Sequence, residues 1–184
     1  MISRRDVVTD SAIAVVAEQG VRGLTHRAVD ALAELPVGST SNVYRTRDAL
    51  ITGIMERIGE LNSQQLERLP ELVAAPGADA IEVAIDFCMN WLTTDRNRFY
   101  TMTMLSLDPA LPPEAVVAKE KNLRAIKEFI MRFAGIDAEY AQRVNSSVAG
   151  MMVSELVAGT ADRSHVEAYL KEFFQWLRGS RDSA

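Results

Sequence analysis

The chain has 184 residues, 48% hydrophobic and 24% charged, with a formal net charge of −5. That is enough apolar material for one domain with a real core, or for a small module beside a larger one, and it excludes a disordered chain. No apolar run is long enough to span a bilayer, no signal-peptide pattern opens the chain, and the single Cys88 excludes an intrachain disulfide, so the expectation is a cytoplasmic protein without a membrane partner.

Arg4 to Gln19 reads as a packing helix with Val8, Ala12, Val15 and Val16 inward, stopped by Gly20. A second helix runs from Thr25, a plausible N-cap, to Ala33, with Ala28, Val29 and Leu32 on one buried face. Glu34-Leu35-Pro36 interrupts it, because proline donates no backbone hydrogen bond and biases Leu35 away from helix. The third helix, about Val37 to Val43, is short and polar, with Gly38, Ser39, Thr40, Ser41 and Asn42 in a row. It offers almost nothing apolar to bury, but its hydroxyl and amide groups on a slim helix suit a major groove. Helix, break and slim second helix make a helix-turn-helix.

From Asp48 a long helix carries Ile51, Ile54, Met55, Ile58 and Leu61 inward and extends to about Leu69. Gly53 and Gly59 weaken it by about 1 kcal/mol each relative to alanine. Pro70 and the run Ala74-Ala75-Pro76-Gly77 predict a loop. From Ala78 to Thr93 the polar stripe Asp79, Glu82, Asp86, Asn90, Thr93 leaves the remaining circumference apolar, which predicts a central helix. Asp95 to Leu107 predicts another helix, and Pro113 opens one that ends before Gly135 with Leu123, Ile126, Ile130 and Phe133 inward.

In the helix from Ala138 to Ala158, Ser146, Gly150, Ser154 and Ala158 form a row of small residues that lets another helix approach closely. Ser164-His165-Val166-Glu167 has the pattern of a capping box. It opens a last helix with Val166, Tyr169, Leu170, Phe173 and Leu177 on one face, widened by Phe174 and Trp176.

The fold class is therefore all-α. Residues 1–47 would form a helix-turn-helix DNA-binding domain and residues 48–184 a helical domain, whose roles as a ligand-binding and dimerisation domain are what a family resemblance implies. The stretches Ala12–Thr25 and Gly38–Leu50 carry a family resemblance, above all the block GSTSN followed by an aromatic and RTRDAL. They resemble the tetracycline-repressor-like (TetR) transcriptional regulators, in an actinobacterial variant of the recognition helix. The likeness covers roughly residues 4 to 55. It implies a homodimer built through the last two large helices, a pseudo-palindromic double-stranded DNA operator and a small-molecule effector. It also implies that Arg47, at the position of the family's phosphate-gripping lysine, contacts the DNA backbone. Two positions depart from the family pattern. Glu34 stands where glycine usually makes a left-handed cap, and Ser41 stands where a tyrosine is common.

On this reading Ser39, Thr40, Ser41 and Asn42 read base edges or bond phosphates, with Val37 against a thymine methyl. Thr25, Arg27, Tyr44, Arg45 and Arg47 clamp the backbone, and His26 neighbours a phosphate or base. Charge is the awkward fact. Within residues 1–50 Arg4, Arg5, Arg22, Arg27, Arg45 and Arg47 are matched by as many acids, whereas nucleic-acid binders are often visibly basic.

No enzyme is expected, nor any cofactor or metal. His26 and His165 fall in different predicted modules, Cys88 has no histidine at ligand spacing, and no Gly-rich phosphate loop, HExxH or GxSxG occurs. Asp79, Glu82 and Asp86 read as a solvated helix face rather than a carboxylate metal site, since no Glu-x-x-His accompanies them. Dense Met and aromatic residues make Phe87, Cys88, Trp91, Tyr100, Met104, Phe129 and Met151 candidates to line an apolar effector pocket, with Asn90 and Asn145 as further polar handles. The function expected is a repressor whose operator binding an apolar effector relieves. The alternative is a helical ligand-binding or interaction protein of the same fold without effective DNA binding.

Overall fold

The computed structural model describes the backbone of residues 3–181 and the side chains of residues 3–176. Among the described residues there is no strand, and 81% of the chain is helical. The helices are α1 (Arg4–Gly23), α2 (His26–Leu32), α3 (Ser39–Val43), α4 (Arg47–Ala74), α5 (Ala80–Leu92), α6 (Arg96–Ser106), α7 (Pro113–Ala134), α8 (Ala138–Ala158) and α9 (Arg163–Arg181). None of them is long and apolar enough to cross a membrane.

Packing divides the chain into two compact units, Met1–Gln65 with Asn97–Ile126, and Leu66–Arg96 with Lys127–Ala184. These packing units are not divided at residues 47 and 48. In the first unit Val8, Val15 and Val16 of α1 meet Val29, Leu50, Ile54, Met55, Ile58 and Leu105, all but fully buried. Hydrogen bonds add direction to this apolar contact. The Thr101 hydroxyl of α6 donates to the Ile13 carbonyl at 3.0 Å, and Arg57 of α4 grips Asp10 of α1 at 2.9 and 3.1 Å. In the second unit Ile85, Cys88, Val166 and Leu170 form the centre. There Arg163 spans Asp86 and Glu82 at 2.7 and 3.1 Å.

Local signals hold at most helix ends. Gly20, at φ 72°, breaks α1 where the stop was expected. Thr25 caps α2 by accepting from the Ala28 N–H at 3.1 Å. Several expectations need correction. α3 begins at Ser39, so Val37 and Gly38 belong to the turn before it. α4 runs through Pro70 to Ala74. A proline removes only one intrahelical donor, and buried Leu66 and Leu69 hold the preceding turn in place.

Leu32 is 40% exposed, and Leu35 packs on the core in its stead. Leu123 and Phe133 are also exposed. At Leu123 the inward position is taken by Asn122, whose carbonyl accepts from Asn62 at 3.1 Å, while Phe133 stacks on Phe129 at the end of α7. The capping box at Ser164 does not form. Asp162 caps α9 instead, accepting from the Ser164 N–H at 2.9 Å. The side chain of Leu177 lies outside the described residues.

Candidate nucleic-acid interface

α2 ends in a left-handed residue, Glu34 at φ 52°. The Leu35 N–H reaches back to the Asp30 carbonyl at 2.9 Å and the Glu34 N–H to the Ala31 carbonyl at 3.3 Å, the paired bonds of a Schellman motif. The chain therefore keeps the left-handed cap without the usual glycine. This turn brings α3 across α2, and a buried carboxylate locks it. Asp30, 1% exposed, accepts from the Gly38 N–H at 2.7 Å, the Thr40 N–H at 2.7 Å and the Thr40 hydroxyl at 2.6 Å. Burial works against the Asp30 charge, but the bonds from Thr40 and Gly38, with His26 nearby, outweigh it and hold the carboxyl below its usual range. The sequence reading missed Asp30. Its only signal was an acid set beside Val29, between the apolar residues Ala28 and Leu32 of a short helix.

The far end of α3 is held as firmly. The Tyr44 N–H donates to the Thr40 carbonyl at 2.8 Å, and the Tyr44 carbonyl accepts from His26 Nε2 at 2.6 Å. A carbonyl cannot donate, so that contact places the imidazole proton on Nε2. Arg5 Nε donates to the Tyr44 hydroxyl at 2.9 Å. Burial pushes the Tyr44 phenol above its ordinary range even though the Arg5 guanidinium opposes the shift, so the hydroxyl is neutral.

The predicted DNA-facing residues thus separate. Thr25, Arg27, Val37, Ser41, Asn42 and Arg45 are exposed, Val37 at 86%. Ser39 and Thr40 are buried and Thr40 is bonded to Asp30, so neither presents a group to a base; assigning base reading to them is corrected. Tyr44 is 7% exposed with its hydroxyl committed to Arg5, so it does not clamp a phosphate. Arg47 donates to the Val21 carbonyl at 2.7 Å and the Leu24 carbonyl at 3.4 Å, tying the start of α4 to the end of α1. His26, half-buried, is likewise turned inward.

The charge balance also resolves in part. Asp30 is buried, and Asp6 and Asp10 face Arg57 at 3.8 and 2.9 Å. Each of those acids is partnered within the protein, while Arg27 and Arg45 are exposed. Arg27 also lines a shallow open groove with Gln19, Thr25, Ala28, Ala31 and Leu32.

The candidate effector residues do not all lie in one unit. Phe87, Cys88, Trp91, Phe129 and Met151 belong to the second unit, Tyr100 and Met104 to the first. Cys88, Trp91 and Met151 are buried, Phe87 tilts against Trp91 at 6.1 Å, and Met104 is 37% exposed. Burial pushes the Cys88 thiol up to about 12, leaving an inert apolar side chain. Of the polar handles, Asn90 is turned to Asp95 at 2.5 Å; Asn145 is half-buried. The carboxylate stripe has structural duties, with Asp79 capping α5 and Glu82 and Asp86 holding Arg163. No group of three or more potential metal ligands occurs among the described residues.

This architecture, a helix-turn-helix followed by a helical C-terminal domain, is the fold of the TetR-family regulators. A transcriptional regulator from Rhodococcus sp. Rha1 is similar with a TM-score of 0.74 at 16% identity, over 94% of this chain and 97% of that one. A TetR-family member from Streptomyces coelicolor A3 gives 0.70 at 23%, over 92% and 97%. The multidrug binding protein EbrR complexed with ethidium gives 0.66 at 25%, over 92% and 98%. No family model and no curated protein matches the sequence.

Proposed function

We propose that this chain is a DNA-binding transcriptional regulator, a repressor acting as a homodimer in the cytoplasm. The observation that carries the reading is the division of labour within α3. Thr40 is spent on Asp30, and that leaves the adjacent Ser41 and Asn42 exposed beside Arg45 and Val37. Asn42 reads a base edge in the major groove, the natural partner of an asparagine amide being adenine. Val37 meets a thymine methyl, and Arg27, Arg45 and Thr25 contact phosphates.

Dimerisation uses α8 and α9, where Gly150, Ser154 and Ala158 are exposed beside Val157 at 82% and Trp176 at 54%. Two modules then meet half-sites about 34–36 Å apart. An apolar effector among Phe87, Cys88, Trp91 and Met151 relieves repression, provided it binds the released state more tightly than the DNA-bound one. The similarity to EbrR, solved with ethidium, supports a flat aromatic effector.

Fluorescence anisotropy with DNA from upstream of the coding region, beside scrambled DNA of equal length, tests this. Sequence-dependent binding of two protomers per site, weakening steeply with salt, is the expected result. Equal affinity for scrambled DNA across a panel of promoters would replace the regulator with a ligand-binding protein of the same fold.

A further inference from the structure

A one-turn helix has no stability of its own, so the direction of α3 is set by what grips it. Asp30 fixes its N-terminal end; a helix pinned at one end can still swing. The second grip is at Tyr44. A Cβ placed on Gly53 of α4 would come within 2.4 Å of Cε1, Cζ and the hydroxyl oxygen of Tyr44, so the ring lies against bare backbone. Glycine inside a helix is unfavourable relative to alanine, and this close approach is what explains one at position 53.

The ring is closed in from the other side by Arg5. Its guanidinium carbon lies 5.5 Å from the ring centroid, its Nε donates to the hydroxyl, and its Nη2 meets Glu56 of α4 at 2.5 Å. α1, Tyr44 and α4 thereby form a closed loop.

We infer that Tyr44 is the positioning residue of α3: seated on Gly53 and held by Arg5, it sets the direction in which Ser41 and Asn42 face. This rests on the DNA-reading role proposed above, but the seat can be tested without DNA. An alanine at position 53 forces the Tyr44 ring to shift and takes its hydroxyl away from the position in which Arg5 now holds it. If Gly53 were an indifferent helix glycine, Gly53→Ala would raise the unfolding midpoint and leave α3 unchanged.

The experiment is amide hydrogen exchange on the full chain for Gly53→Ala and Tyr44→Phe, the second keeping the ring and losing only the acceptor. The Asn42 and Tyr44 amides, which donate to the Gly38 and Thr40 carbonyls, are expected to exchange about tenfold faster in Gly53→Ala. A smaller acceleration is expected in Tyr44→Phe, with α1 unchanged in both. Unchanged α3 exchange in both variants overturns the inference, and so does an equal acceleration across α1, α2 and α3. With DNA, Tyr44→Phe is expected to lose specific affinity while keeping the salt slope, because no phosphate contact is removed. A shallower slope would make Tyr44 a phosphate contact instead. Should the wild-type chain prefer no DNA sequence, the regulator reading fails while the exchange result still decides the seat.

Discussion

The Asp30 carboxylate and Thr40, ten residues apart, meet through two bonds at once, from the Thr40 amide at 2.7 Å and from its hydroxyl at 2.6 Å. With the Gly38 amide on the other oxygen, one buried acid sets the angle between α2 and α3. A charge at this depth is tolerable because three donors are committed to it. The same residue keeps Thr40 off the exposed surface, so it decides which groups of α3 are left to meet a partner.

Removing the acceptor should therefore unfold more than a turn. Asp30→Ala leaves the Thr40 amide and hydroxyl buried without a partner and frees the half-buried Gly38 amide, and a loss of about 3 kcal/mol is expected in chemical denaturation. Thr40→Val removes only the hydroxyl bond and should cost about 1 kcal/mol. Because Thr40 is buried, Thr40→Val should leave the ranking of DNA sequences as in the wild type. A changed ranking would return Thr40 to the reading face.

Asn42 should behave in the opposite way. Asn42→Ala is expected to leave the unfolding midpoint alone and to relax preference at one base position by about 1–3 kcal/mol. Arg27→Ala or Arg45→Ala should weaken all sequences alike and lower the salt slope by about 1 each. Competition binding against single-base variants separates the two patterns. A uniform loss from Asn42→Ala would remove the base-reading role from α3.

Much of this was readable before any coordinates. Apolar spacing gave α1 and the core face of α4, glycine gave the break at Gly20, and Thr25 marked the start of α2. Long-range polar partners were not readable. Nothing in the polar run from Gly38 to Asn42 says which hydroxyl points inward, because that depends on Asp30 being folded under Thr40. Tyr44 was misjudged for the same reason: its type contacts phosphates, yet its hydroxyl accepts from Arg5, distant in sequence. Arg47 bonds the Val21 and Leu24 carbonyls, also distant, while its side chain stays exposed. At α9 the capping box at Ser164 failed because Asp162 reaches the first free amides from two positions earlier.

Glu34 holds φ 52° without being glycine. An L side chain there carries a steric cost that glycine lacks, while glycine gives back part through a more flexible unfolded chain. Glu34→Gly is expected to stabilise the protein by roughly 0.5–1 kcal/mol, with unchanged DNA preference. No gain in thermal midpoint would mean that the Schellman bonds relieve the strain on their own.

The corner between α8 and α9 repeats the device used at Asp30. Glu155, 3% exposed, accepts from His165 Nδ1 at 2.5 Å, the Thr160 hydroxyl at 3.0 Å and the Asp162 amide at 3.2 Å. The His165 bond first, against the opposing effect of burial, holds its carboxyl below the usual range. The unfolded chain then takes up the proton more readily than the folded one. The contribution of Glu155 is full above about pH 4.3 and is lost as pH falls through the lower folded value. Asp30 acts in the same acidic window, so wild-type acid sensitivity alone cannot separate the two. The difference in unfolding free energy between wild type and Glu155→Gln can. It should be largest above about pH 5 and narrow toward pH 3, as the wild-type carboxyl protonates. A difference that stays constant over that range would show that the charge of Glu155 contributes nothing and that its geometry alone holds the corner.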